Sequence, residues 1–258
     1  MKTFPESKLA HKYLDGLIGL EIGGSIHNPF GLNTKNIDYT DSSKTVFKEE
    51  ENEMCGESLP VDIVAQGDSI PVPDESYDFI VSSHVLEHFP DPIRALKEWQ
   101  RIVKEGGYIF IIIPHKERTF DRNKSRTKPE ELIKRHETGK YPEPSSRSKH
   151  YSYWITEDFI DFVENINLKW QVVDFLDTDD KVGNGFTVVI KKGESDAEIE
   201  KEIKSRVEEL KKNTAASEKK SKLLKRILEL KNNTKKEYNR NGISGIARRI
   251  LRIKKWES

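Results

Sequence analysis

Two glycines follow an acidic residue in Glu21-Ile22-Gly23-Gly24-Ser25, at the end of the short apolar run 17–22. Glycine tolerates positive φ, and its missing Cβ lets a ligand approach the backbone. Asp38 closes the next apolar stretch, Asn36-Ile37-Asp38-Tyr39, 15 residues after Gly23. A carboxylate there can accept two hydrogen bonds from a ribose diol. It can equally serve as a cap, since Asp41-Ser42-Ser43 follows and could start a helix. His115 ends a third apolar run, and Asp121 and His150 lie in the polar stretch beyond it. Imidazoles and carboxylates are the groups that move protons near neutral pH. His84 and His88 directly follow Ser82-Ser83 and read as structural or ligand-lining groups before catalytic ones. No metal-ligand spacing stands out, so no metal is expected.

These residues need elements to hold them. Apolar runs at 17–22, 36–39, 61–65, 77–82 and 108–113 read as strands, the last as a central parallel strand covered on both faces. Ile93, Leu96, Trp99, Ile102 and Val103 recur at helical spacing, which predicts an amphipathic helix over 92–104, opened by Pro92 and stopped by Gly106-Gly107. A weaker helix is expected over 44–55. Strand and helix thus alternate from 17 to 113, the pattern of βαβ units around a parallel sheet. Residues 114–152 are polar and basic, with a short helix at 129–136. A connection of that length inside a domain is functional or disordered. A helix capped by Thr156 and strands at 170–176 and 186–191 complete the body.

The chain of 258 residues is 34% apolar and 34% charged, with a net charge of zero. The charge is unevenly spread. Residues 194–258 hold 19 basic against 11 acidic side chains, and residues 1–193 hold 25 against 33. This divides the chain into a domain at 1–193 and a basic helical extension at 194–258. The acidic body gives no reason to expect nucleic acid as a partner. The single cysteine, Cys55, excludes a disulfide framework and fits a reducing, cytoplasmic setting. Met1 to His11 carries no apolar signal region, and no run approaches the roughly 20 apolar residues of a membrane span. Within the extension, Ile243, Ile246, Ile250 and Ile253 share a helical face flanked by Arg248, Arg249 and Arg252, with Trp256 after them. Such a helix can lie on an anionic membrane, at the inner face of the cell, or pack on a partner or a second copy.

The glycine turn, Asp38, Gly67-Asp68, the stretch from Tyr77 to His88 with its Val85-Leu86-Glu87-His88, and Lys104-Glu105-Gly106-Gly107 stand in an order that resembles the class I S-adenosylmethionine-dependent methyltransferases, type 11 branch. The resemblance covers roughly residues 15–192. It implies an α/β fold with a Rossmann-like doubly wound seven-stranded sheet, ordered 3-2-1-4-5-7-6, with strand 7 antiparallel. It implies S-adenosyl-L-methionine as cofactor. Carried over by position, Glu21, Gly23, Gly24 and Ser25 would shape the methionine pocket. Asp38 would hold the ribose, and Tyr39 would pack near the adenine. Asp68 would accept from the adenine amino group with Ser69 beside it. Ser82, Ser83 and His84 would line the opposite wall. Ser25 departs from the family's three alternating glycines, and Ile26-His27-Asn28-Pro29-Phe30-Gly31 replaces a plain helix start.

Methyl transfer from a sulfonium is an in-line displacement that asks mainly for positioning. A hydroxyl acceptor adds the need for a base. His115 is the first candidate because it ends the fifth strand, followed by His150 and Asp121. The expected acceptor is a small molecule or carbohydrate, a glycan precursor of polysaccharide biosynthesis, with 114–152 as a lid whose Lys116, Arg118, Arg122 and Arg126 could meet a phosphate. The alternative is a non-catalytic binding or scaffolding protein that works through its basic tail.

Overall fold

The computed structural model describes residues 8–26, 30–42, 44–146, 149–180 and 183–254, with side chains as far as 233 apart from those of residues 46 and 47. Its centre is a seven-stranded sheet of β1 (Gly19–Ile22), β2 (Thr34–Asp38), β3 (Ile63–Val64), β4 (Tyr77–Ser83), β5 (Val103–Pro114), β6 (Trp170–Leu176) and β7 (Gly185–Lys192). The order is β3-β2-β1-β4-β5-β7-β6. Strands β1 to β5 pair in parallel, and β7 runs antiparallel to both β5 and β6. Fold class and strand order are therefore those the motifs imply.

The central strands are apolar on both faces because both are covered. Phe79 and Val81 of β4 and Phe110 and Ile112 of β5 pack with Leu9, Ala10 and Leu14 of a first helix, α1 (Lys8–Leu14). The alternate residues Ile80, Ile109, Ile111 and Ile113 are equally buried and point the other way by the strand period of two. The remaining helices are α2 (Val46–Cys55), α3 (Pro92–Ile102), α4 (Pro129–Thr138), α5 (Thr156–Asn165) and α6 (Ala197–Lys254).

Two local expectations are corrected. Helix α3 ends at Ile102, and Val103 is already extended and pairs with Tyr77. Gly106-Gly107 does not stop the helix. It lies where the ladder skips from Val103 to Tyr108, and a Cβ on Gly107 would stand 2.3 Å from the Asp78 carbonyl oxygen. Close backbone approach is what requires glycine there. Thr156 does not cap α5. Ile155 occupies that position, and the Thr156 hydroxyl donates to Asp177 Oδ1 at 2.6 Å.

The chain forms two compact units, the first ending at Ser205 and the second beginning at Arg206. The first turns of α6 belong to the first unit. Asp196 Oδ1 accepts from the amides of Glu198 and Ile199, Gln171 bonds both backbone groups of Asp196, and Ile203 is buried. In the second unit α6 continues with Leu223, Leu224, Ile227, Leu228 and Leu230 exposed. The side chains of Ile243, Ile246, Ile250 and Ile253, and Trp256 altogether, lie outside the described residues. Among the described residues no helix is long and apolar enough to cross a membrane.

Candidate active site

The glycine turn sits where β1 ends, between β2 and β4. Gly23 has φ +66, and a Cβ on it would meet Val85 Cγ2 at 2.8 Å. Its amide donates to the Ile37 carbonyl, and the Gly24 amide donates to Asn36 Oδ1 at 2.9 Å. Glu21 is buried behind the turn, with Thr34 Oγ1 donating to it at 3.4 Å. The loop beyond is held from α2. Glu51, itself buried, accepts from the Ile26 and Leu59 amides and from the Ser25 hydroxyl, and pairs with buried Lys48 at 3.0 Å. Ser25 thus bonds to protein where the family has a bare glycine. His27, Asn28 and Pro29 lie outside the described residues.

Asp38 ends β2, partly buried. Burial raises its pKa, opposed by the Tyr39 and Thr40 amides and the Lys48 charge. It accepts from its own turn and leaves a carboxylate at the carboxyl end of β2, while the helix that follows is capped by Thr45 instead. Tyr39 is exposed. Asp68 pairs with Arg94 Nε at 3.3 Å, with exposed Ser69 beside it. At the end of β4 the hydroxyls of Ser82 and Ser83 are buried without a hydrogen-bond partner among the described residues. Two orphaned hydroxyls, a turn with no room for a Cβ and a sheet-edge carboxylate are what a nucleoside-bearing ligand would need, and the residues fit S-adenosylmethionine.

Residues 21–111 match the family model described as a methyltransferase domain. Over those residues the chain is similar to methyltransferase domains. The chain is similar to an uncharacterised protein of Methanocaldococcus jannaschii, 34% identical over 96 residues that make up 36% of this chain and 42% of that protein. It is also similar to 2-methyl-6-phytyl-1,4-hydroquinone methyltransferase 1, chloroplastic, of Oryza sativa, 26% identical over 110 residues, 41% of this chain and 33% of that protein. The chain thus spans less than half the length of these curated relatives. Among solved structures, a SAM-dependent methyltransferase of Methanosarcina mazei aligns with 74% of this chain and 100% of its own at 18% identity and a TM-score of 0.47.

Beyond the glycine turn and the ends of β2 and β4, the structure assembles a second group of residues. A 3-10 turn, Leu86–His88, follows β4 and buries Glu87. The 114–152 segment folds back onto it, with the Tyr151 amide donating to the Glu87 carbonyl at 2.9 Å. His150 Nδ1 bonds Asp121 Oδ2 at 2.8 Å, and the His88 and His150 rings stand 4.7 Å apart edge to face. Burial pushes the Glu87 carboxyl up to about 8. Burial, with neighbouring His150, pushes His88 down to about 4. Burial also lowers His150 against the opposing Asp121 contact.

His115 stands apart in role. Burial, reinforced by Arg118, lowers it to about 4. Its Nδ1 accepts from the Glu117 amide at 3.2 Å, capping the short turn after β5. By this hydrogen-bond assignment the ring proton sits on Nε2, and the lone pair a base would use is occupied. Of the three catalytic candidates, the structure joins Asp121 and His150 and gives His115 a capping bond. Glu87 and His88 were not among the expected site residues. His150 follows Glu87 far along the chain, and only the fold of 114–152 joins them.

The described residues of that segment are partly buried. Lys116 is buried against Glu117 and the Arg122 carbonyl, Arg118 pairs with Asp177, and Arg126 lies 3.6 Å from Asp158. Three of its four expected phosphate-binding cations are therefore engaged internally. Arg122 is exposed, in an open cleft of about 570 Å³ lined with Arg118, Thr119, Phe120, Asn123 and Asn184. The exposed Phe120 ring stacks on His150 at 6.0 Å.

Proposed function

We propose that the whole chain is a methyltransferase acting on a polar, hydroxyl-bearing small molecule or glycan precursor. The observation that supports the acceptor class is the cleft lined by Phe120, whose ring stacks on His150. Its lining is polar apart from one aromatic face, Phe120, and suits a hydroxylated ring better than an extended hydrocarbon. The 114–152 segment frames that cleft and serves as the acceptor-side lid of a 1–193 domain.

When bound, S-adenosylmethionine supplies an activated methyl group. The chain's own residues bind, orient and manage a proton. Asp38 would hold the ribose hydroxyls, with Tyr39 at the adenine and Asp68 and Ser69 at its amino group. Glu21, Gly23, Gly24 and Ser25 would shape the methionine end opposite Ser82, Ser83 and His84. Asp121 fixes the His150 ring through Nδ1, and Nε2, 3.8 Å from Glu87 Oε1, is the nitrogen left to take a hydroxyl proton. The assignment of cofactor residues is tested by titration calorimetry. A carboxylate hydrogen bond contributes about 1.5–3 kcal/mol, so Asp38→Ala is expected to weaken S-adenosylmethionine binding roughly 10- to 150-fold. No heat of binding in the wild type would defeat the enzyme reading and favour a scaffold. Equal affinities would defeat only the ribose assignment.

The extension supports a separate attachment role. Lys222, Lys225, Arg226 and Lys231 interleave with the exposed leucines of α6, the composition of an interfacial helix. Each cation near an anionic surface adds about 1 kcal/mol. Phosphatidylserine vesicles are expected to sediment the protein at low salt, and high salt or removal of residues 217–258 is expected to release it. Self-association in gel filtration without vesicle binding would favour packing between copies instead.

A further inference from the structure

Glu87 poses a physical problem. Its side chain is 1% exposed, and neither carboxylate oxygen has a hydrogen-bond partner among the described residues. A carboxyl buried this deeply either holds a proton or has its charge compensated, and a bound cation compensates it. Around it stand ring nitrogens that stop short of hydrogen bonding. His150 Nε2 is 3.8 Å, His84 Nδ1 3.9 Å and His88 Nε2 4.0 Å from the same oxygen, Oε1. Groups that converge on one oxygen at such distances surround a point rather than bond to one another.

We infer that Glu87, His88 and His150 form a binding site for a divalent transition-metal ion. One ligand atom from each lies within 4.8 Å of the others. Two nitrogens and a carboxylate oxygen are a set used by zinc and by non-haem iron sites that keep positions open. Tetrahedral ligands on bonds of about 2.0–2.1 Å stand about 3.3 Å apart, so loading requires both rings to move in toward Glu87 from 3.8 and 4.0 Å. His84 stands 3.9 Å from the same oxygen and is not part of the set.

Two further features are those of ligand support. Metal-bound imidazoles donate their second ring N–H to a carboxylate or carbonyl, which fixes the tautomer. His150 does so to Asp121 at 2.8 Å, and His88 donates to the Lys149 carbonyl. The backbone is also strained here. Four described non-glycine residues have positive φ, and two of them, His84 at +58 and Lys149 at +59, flank the ligands. Strain of this kind persists where the surrounding structure imposes it.

The site itself does not depend on methyl transfer. Its consequence for the reaction does rest on the proposed function. A cation held here would bind an acceptor oxygen and make its proton easier to lose to solvent, and His150 would act as ligand instead of base.

The test is metal content and binding on the full-length chain. Purified protein, stripped with chelator and dialysed against Zn²⁺ or Mn²⁺ alone, is expected to retain about one ion per chain, with Mg²⁺ retained poorly. Cobalt substitution is expected to give a visible ligand-field spectrum. Glu87→Gln and His88→Gln should each abolish retention, and Asp121→Asn should weaken it roughly 10- to 100-fold. His136→Gln, outside the cluster, should retain the ion. Far-ultraviolet circular dichroism confirms that each variant is folded. His88 is partly exposed, so its variant keeps the test decisive if Glu87→Gln does not fold. A wild type that retains neither ion, or folded variants that retain it as well as the wild type, would overturn the site. S-adenosylmethionine binding, measured separately, distinguishes that failure from failure of the methyltransferase reading.

Discussion

His150→Ala is expected to lower methyl transfer by about 10²–10⁴-fold, the range for loss of a positioned proton-transfer group, while leaving cofactor affinity within about twofold. The imidazole is held on both sides, by Asp121 through Nδ1 and by the Phe120 face. Its neighbours include Glu87, His88 and Tyr153. Asp121→Asn should give a smaller loss, because the ring keeps its place but loses the contact that selects its tautomer. The measurement is transfer of labelled methyl groups to a panel of sugars and nucleotide sugars, alongside calorimetry with S-adenosylmethionine. Undiminished transfer by His150→Ala would remove the residue from the reaction, whether as base or as metal ligand. A comparable loss in His115→Asn would return the catalytic role to the strand-end histidine. That substitution keeps an acceptor for the Glu117 amide, so structural damage would not explain a loss.

Trp99→Ala is expected to destabilise the first unit by about 3–5 kcal/mol, a fall in Tm of roughly 6–20 °C. Trp99 is fully buried on α3, packs edge-on against Phe89 at 6.3 Å, and donates Nε1–H to the Gly67 carbonyl at 2.7 Å. The effect extends to the ligand, because the same helix holds the loop that carries Asp68. Glu98 accepts the Ile70 amide at 2.7 Å, and Arg101 donates to the carbonyls of Ile70 and Val72. Trp99→Phe separates the two contributions. It keeps most of the volume but leaves a buried carbonyl unpaired, at about 1–3 kcal/mol, and should weaken cofactor binding through the loosened Gly67-Asp68 turn. Thermal denaturation and calorimetry on both variants check this. A Trp99→Phe protein with wild-type affinity would show that α3 supports the sheet without tuning the cofactor loop.

The sequence by itself determined the parallel sheet, its order through the family resemblance, and the places of the turns proposed to hold the cofactor. Each of those is a contiguous strand followed by its own turn. Gly23-Gly24 after β1, Asp38 after β2, Asp68 after β3 and Ser82-Ser83 in β4 are positioned by short-range backbone geometry, which residue type and period report directly. Helix α1 was not legible. Its buried residues, Leu9, Ala10 and Leu14, are too few and too irregular to show a helical period. The end of α3 was misplaced because glycine was read as a stop, when its reason is the approach of the Asp78 carbonyl to Gly107.

Only the tertiary structure decided the acceptor side. Lys116, Arg126 and Arg135 look like solvated cations in the sequence, yet Lys116 and Arg135 are buried and all three face acidic partners. His115 and His150 look alike as histidines in or beside a polar stretch. One is spent as a cap, and the other is carried back to Glu87 and His88 by a folded segment that shows no helical or strand period over most of its length. Local patterning reports which face of an element is buried. It does not report which distant side chain will meet it, and this site is made of such meetings.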